Sequence, residues 1–143
     1  MIRYVDTSVF VTFLVHEPAS QAVEAWFERA EIADLALSSW TITEFVSAIG
    51  IKVRAGALNA RKATAVLREF HALVHTSLLP IVPNNGDFVA ATRLMEQFDL
   101  GLRAGDALHV AIAQQAGAAR LVTLDKVLAR AATQVGLPCE FPA

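Results

Sequence analysis

Ile2-Arg3-Tyr4-Val5-Asp6-Thr7-Ser8 changes character in its middle. Its first half is mostly apolar and aromatic and suits a short buried strand. A carboxylate and two hydroxyls then arrive together, followed by the apolar run Val9-Phe10-Val11. Asp, Ser and Thr favour a helix N-terminus, because their oxygens accept bonds from its free N–H groups. The stretch therefore predicts a strand, a polar corner and a helix in quick succession. In an open α/β sheet, ligands bind just beyond the carboxyl ends of the strands. Asp6 falls at such an end, where it either caps a helix or belongs to a site.

The same pattern returns late in the chain. Arg120-Leu121-Val122-Thr123-Leu124 reads as a strand, Asp125 follows it, and Lys126 through Val135 reads as a helix. Two more short strands lie between, Leu35-Ala36-Leu37-Ser38 and Leu79-Pro80-Ile81-Val82. Pro80 cannot donate to a ladder and places the second at a sheet edge. Cys139-Glu140-Phe141 suits a further edge strand. Helical patterns fill the intervals. One starts at about Pro18 and ends near Ala30; another is capped by Ser39 or Thr41 and carries Ile42, Phe45, Val46, Ile49 and Val53 at helical spacing. Asn59 caps a longer one after Gly56, and Phe88 to Phe98 forms the next. Asp106 opens a helix that is apolar nearly all round and hence central. Strands separated by helices predict an α/β fold with a parallel sheet covered on both faces.

A chain of 143 residues fits a single domain spanning residues 1–143. Hydrophobic residues make up 55% and the mean hydropathy is +0.45, so a core is readily built. So much apolar character also points to an interface with a partner, and a homodimer is expected. No apolar run reaches the roughly 18–20 residues needed to cross a bilayer. The N-terminus lacks the pattern of a secretory signal. The single cysteine, Cys139, excludes an internal disulfide and a cysteine-based zinc site. These features fit a cytoplasmic protein. The net charge of −2 gives no bulk support for nucleic-acid binding. Lys52, Arg54, Arg61, Lys62 and Arg68, however, form a local basic run able to meet phosphate.

Asp6 and Asp125 each follow a predicted strand, and Glu44 and Asp106 each fall in the first turn of a predicted helix. In a parallel sheet all four points lie at the carboxyl edge. Any one of them alone reads as a cap or a solvated first-turn acid. Together they form a cluster that repels itself, by about 4 kcal/mol per pair at ~4 Å and an effective dielectric near 20. Hard divalent cations neutralise such clusters, and Mg²⁺ favours carboxylate and water oxygens. Thr7, Ser8 and Thr123 lie beside the acids, suited to holding a water or a phosphate oxygen, and Arg103 is placed to touch substrate phosphate. His109, one turn after Asp106 in a mostly buried helix, reads as a histidine at the core edge, with support of the acids or a phosphate contact as the alternative. Trp26 and Trp40, near apolar stripes, read as core or interface residues.

Four motifs in register carry a resemblance. Tyr4-Val5-Asp6-Thr7-Ser8, Thr43-Glu44, Arg103-Ala104-Gly105-Asp106-Ala107-Leu108-His109 and Leu121-Val122-Thr123-Leu124-Asp125 span nearly the whole chain. In this order they resemble the PIN-domain ribonucleases, most of all the VapC toxins of toxin–antitoxin pairs. The resemblance implies a three-layer α/β/α sandwich with a mostly parallel central sheet. It implies Mg²⁺- or Mn²⁺-dependent endonucleolytic cleavage of RNA, with Asp6, Glu44, Asp106 and Asp125 as the catalytic, metal-binding acids. It also implies a cognate antitoxin protein as inhibitor. A haloacid-dehalogenase-type phosphatase needs a second Asp where Ser8 stands, and a receiver domain needs paired acids where Asp6 is single. The remaining alternative is a catalytically inactive PIN-fold protein that acts as a partner-binding module.

Overall fold

The computed structural model describes residues 1–143. Five short strands form one sheet: β1 (Arg3–Val5), β2 (Leu35–Ser38), β3 (Leu79–Ile81), β4 (Arg120–Val122) and β5 (Cys139–Glu140). Their order is β3-β2-β1-β4-β5, and every pairing is parallel. The strand at the head of the chain is thus the central one. Pro80 lies on an edge strand, as its missing N–H demands.

Seven helices cover the two faces: α1 (Thr7–Leu14), α2 (Ser20–Arg29), α3 (Ser39–Arg54), α4 (Ala60–Thr76), α5 (Asn85–Glu96), α6 (Ala104–Gln115) and α7 (Lys126–Gln134). Alternate strand residues feed two separate cores. Tyr4 and Leu121 pack with side chains of α5, α6 and α7, including Leu94, Ile112 and Leu128. Their neighbours Val5 and Val122 pack with those of α1 to α4, including Phe10, Val23, Phe45 and Phe70. Period-two alternation on the strands therefore divides the helices into two layers. The three-layer parallel α/β fold expected from the sequence is the fold observed.

Two helix starts differ from expectation. Ser38 caps α3: its hydroxyl accepts from Thr41 N–H, while the Thr41 hydroxyl accepts from Ser38 N–H. The helix begins at Ser39, so Glu44 stands in its second turn rather than its first. Arg103 occupies the N-cap position of α6, so the helix opens at Ala104 and not at Asp106, and Asp106 stands in the first turn as expected.

Candidate functional site

The register of β1 with β4 pairs Val5 with Val122 and so sets the next residues of both strands side by side. Asp6 N–H donates to Val122 O at 2.9 Å, and the Thr123 hydroxyl donates to Asp6 Oδ2 at 2.9 Å. Ser8 Oγ donates to the same oxygen at 2.7 Å. Asp6 is 5% exposed. Two hydroxyls occupy one of its oxygens and fix its orientation, which leaves Oδ1 as the oxygen free of hydroxyls.

Glu44 arrives from α3. Its Oε1 accepts from Thr7 Oγ1 at 2.6 Å and lies 2.5 Å from His109 Nε2. Burial pushes the Glu44 carboxyl up, but the hydrogen bond and charge of His109, with the Thr7 hydroxyl, outweigh it and hold the group below its ordinary value. Oε2 remains beside Gly105, where an added Cβ would stand 2.9 Å from it. Glycine at that position makes room for the carboxylate.

His109 is fully buried, as the sequence suggested, but it is bound to the site and not only to the core. Its Nδ1 lies 2.7 Å from Tyr4 Oη, and that oxygen in turn lies 2.8 Å from Ser38 Oγ and 3.2 Å from Thr41 Oγ1. Burial drives the Tyr4 phenol far up, so it keeps its proton. The Tyr4 oxygen on Nδ1 turns the other ring nitrogen, Nε2, toward Glu44. One oxygen each from Asp6 and Glu44, with His109 Nε2, lie within 4.8 Å of one another. Sequence reasoning offered a supporting role for His109 only as the second choice. The one signal available was the three-residue step from Asp106 to His109 on the same helix.

Asp106 takes no hydrogen bond from the protein. Burial first, then the charges of Asp6 and Asp125, push its carboxyl up to about 6, with His109 opposing. Asp125 does cap α7, its Oδ1 accepting from Val127 and Leu128 N–H at 2.9 and 3.1 Å. The second Asp125 oxygen is left over.

All four expected acids line one cleft of about 550 Å³, together with Thr7, Ser8, Glu17 and Lys52. Arg103 lines an adjoining groove that shares Glu44, Asp106 and Asp125. Thr123 is buried beneath, holding Asp6 and accepting from Asp125 N–H at 3.0 Å. Of the basic run only Lys52 reaches the cleft, where its Nζ pairs with Glu17 Oε1 at 2.8 Å. Arg54, Arg61, Lys62 and Arg68 are exposed outside it. Trp26 is buried and donates to Glu140 at 2.7 Å, far from the acids in sequence and role.

The donor set fits a hard divalent cation. It offers carboxylate oxygens without cysteine sulfur, and crowding that already raises one carboxyl is what such a charge relieves. The molecule is therefore a parallel α/β domain with an acidic, metal-competent site at the carboxyl edge of its sheet. The chain belongs to the PIN-domain family, whose model matches residues 3–134. Solved structures share the fold at low identity. FitAcB from Neisseria gonorrhoeae is 19% identical with a TM-score of 0.70, over 99% of this chain and 98% of that one. Mycobacterium tuberculosis VapC20, a sarcin-ricin loop cleaving toxin, is 15% identical with a TM-score of 0.68, over 94% and 95%. A toxin–antitoxin complex from Klebsiella pneumoniae matches at 15% identity and a TM-score of 0.65, over 99% and 98%. No curated protein matches the sequence significantly. No helix is long and apolar enough to cross a membrane.

Proposed function

We propose that this chain is a metal-dependent endoribonuclease and the toxin of a type II toxin–antitoxin pair. The observation that carries the reading is the meeting of Asp6, Glu44, Asp106 and Asp125, from four distant parts of the chain, in one cleft. Family membership and the likeness to a toxin that cleaves RNA support it.

Asp6, Glu44, Asp106 and Asp125 hold Mg²⁺ or Mn²⁺ in this reading. Such an ion supplies Lewis acidity, polarising the phosphodiester and acidifying the attacking water. The protein's own part is positioning. Ser8 and Thr123 hold Asp6; Thr7 and His109 hold Glu44. Thr7, Ser8 and Arg103 contact the substrate, Arg103 as a charge on phosphate, and Thr123 acts from below. The cleft holds no cysteine, and its Ser8 hydroxyl is committed to Asp6, a metal ligand in this reading, so hydrolysis is by water directly.

The partner is an antitoxin helix. A groove among α1, α2 and α4 is lined by Phe13, Leu14, Phe27 and Leu73 and rimmed by Glu24, Glu28 and Glu69. Such a groove accepts the apolar face of an amphipathic helix with basic flanks. Val82 and Phe98, 79% and 88% exposed, provide apolar surface for a homodimer.

Purified chain should cut RNA in Mg²⁺ or Mn²⁺ and not in EDTA, leaving 5′-phosphate and 3′-hydroxyl ends. Asp6→Asn should abolish cleavage. Cutting that survives EDTA, or 2′,3′-cyclic phosphate ends, would overturn the mechanism. No cutting in any metal would leave the inactive partner-binding module.

A further inference from the structure

The carboxylates open in two directions. On one side the cleft runs to Lys52 and Glu17. On the other a groove of about 560 Å³ shares Glu44, Ser47, Asp106 and Asp125 with that cleft and continues to Trp40 and Arg103. Trp40 is the one hydrophobic side chain in this second groove. It is half-buried, and its place is fixed. Its Nε1–H donates to Gly105 O at 3.2 Å, and its ring packs so close to Gly105 that an added Cβ would lie 3.2 Å from Cζ2. Arg103 is exposed and forms no ion pair, although three carboxylates line the same groove. Trp26 provides the contrast. That indole is 6% exposed, with its N–H on Glu140 and the Arg3 guanidinium 5.5 Å from its ring, so it has no surface to offer.

We propose that the second groove is a nucleotide subsite: Trp40 stacks on one unpaired base beside the bond that is cut, and Arg103 holds a phosphate of the same strand. The inference rests on the ribonuclease reading and adds the form of RNA that the site accepts. A fixed aromatic plate in a polar groove, with an unpaired guanidinium beside it, matches what single-stranded nucleic acid presents. A base within a duplex has both faces occupied by its neighbours and cannot stack on a wall. The substrate is therefore a single strand or a loop. Every base has a face to offer, so this contact selects for an unpaired base and not for its identity.

The test uses a single-stranded oligoribonucleotide that the wild type cuts in Mg²⁺. Single-turnover cleavage gives the half-saturating concentration and the maximal rate separately. An abasic residue is moved through the oligonucleotide one position at a time. Wild type should show about a ten-fold rise in half-saturating concentration at one position next to the cut. Trp40→Leu should show a similar rise on the intact strand and no further rise at that abasic position. Trp40→Phe, which keeps a ring but loses the bond to Gly105, should stay near wild type. Arg103→Ala should lower the salt slope by about 0.7. If the Leu variant's effect adds fully to every abasic effect, or if Phe is as harmful as Leu, Trp40 is only a packing residue and the proposal falls. Unaltered saturation in Trp40→Leu overturns it too, while leaving the ribonuclease reading intact. A wild type that cuts no RNA removes both.

Discussion

His109 Nε2 and Glu44 Oε1 stand 2.5 Å apart, on two helices whose residues here are separated by 65 positions. The pair joins the helical layers on opposite faces of the sheet, and Tyr4 on the central strand completes it from below. Carboxylate, imidazole and phenol form one line of hydrogen bonds that ends on a site acid.

Tyr4→Phe keeps the ring and removes the hydroxyl. His109 Nδ1 then loses its partner, and the Ser38 and Thr41 hydroxyls lose a neighbour. The expected loss of stability is about 1–3 kcal/mol, the cost of leaving a buried polar group unsatisfied. Urea unfolding midpoints of the two proteins measure it. A variant as stable as wild type would show that the line contributes nothing to the fold.

Gly105→Ala separates stability from the site. A glycine-to-alanine change within a helix ordinarily stabilises by roughly 0.5–1 kcal/mol. Here the new methyl would meet Glu44 Oε2 at 2.9 Å and the Trp40 ring at 3.2 Å, and hydrogen bonds hold both side chains. Relieving the contact displaces the carboxylate, and that cost offsets the helix gain. A melting temperature close to wild type is expected, with RNA cleavage reduced about 100-fold, the scale of a misplacement of ~1 Å. Retained cleavage would mean that Oε2 has no part in the reaction.

Asp106→Asn tests the crowding of the acids through pH. The Asp106 carboxyl lies near 6 in the fold against an ordinary value of 3.8. Its proton therefore stabilises the folded state below the ordinary value, and that contribution is lost as pH rises through about 6. Glu44, held below its ordinary value, acts in the opposite sense and loses its contribution as pH falls. Comparison with Asp106→Asn isolates the first effect. In EDTA the variant should match wild type near pH 4 and exceed it above pH 6, by about 1 kcal/mol once solvent screening is allowed for. A difference that stays constant with pH would mean that neither burial nor the other acids raise the Asp106 carboxyl.

Asp125 caps α7 and, in the proposed site, also faces the metal; two substitutions divide the two roles. Asp125→Ala loses the cap of α7 and should cost about 1 kcal/mol. Asp125→Asn keeps a capping oxygen and should cost less. Both should respond to Mn²⁺ less than wild type, which gains about 2.7 kcal/mol at a concentration of 100 Kd. Thermal melts in EDTA and in excess Mn²⁺ provide the comparison. An Asn variant stabilised by Mn²⁺ as much as wild type would remove Asp125 from the metal site.

Strand-to-acid junctions were legible because they change period and polarity within a few residues. Tyr4 to Ser8 and Leu121 to Asp125 need no distant information to be recognised. The start of α3 was less so. Ser38, Ser39 and Thr41 are all capable caps, and only the reciprocal bond between Ser38 and Thr41 selects the first. That choice moves Glu44 one turn along the helix. His109 was placed correctly in the interior, but its role lay outside local reading. A buried imidazole must find partners, and those partners, Tyr4 and Glu44, lie 105 and 65 residues away. Gly105 carries no local signal of its role, because its meaning depends on the Glu44 carboxylate that fills the space beside it.

The order of the strands has a consequence for when the cleft exists. Central β1 is made first, yet its neighbour β4 follows more than a hundred residues later, and Thr123 N–H is in turn held by Glu140 O of β5. Asp6 has no Thr123 to orient it until β4 is inserted beside it, and Glu44 has no His109 until α6 docks on the far face. These are contacts of high sequence separation, the kind that a folding chain makes late. A nascent or partly folded chain therefore carries the acids without the site. A cleft assembled this late exists only in a chain whose central sheet is already closed over by both helical layers.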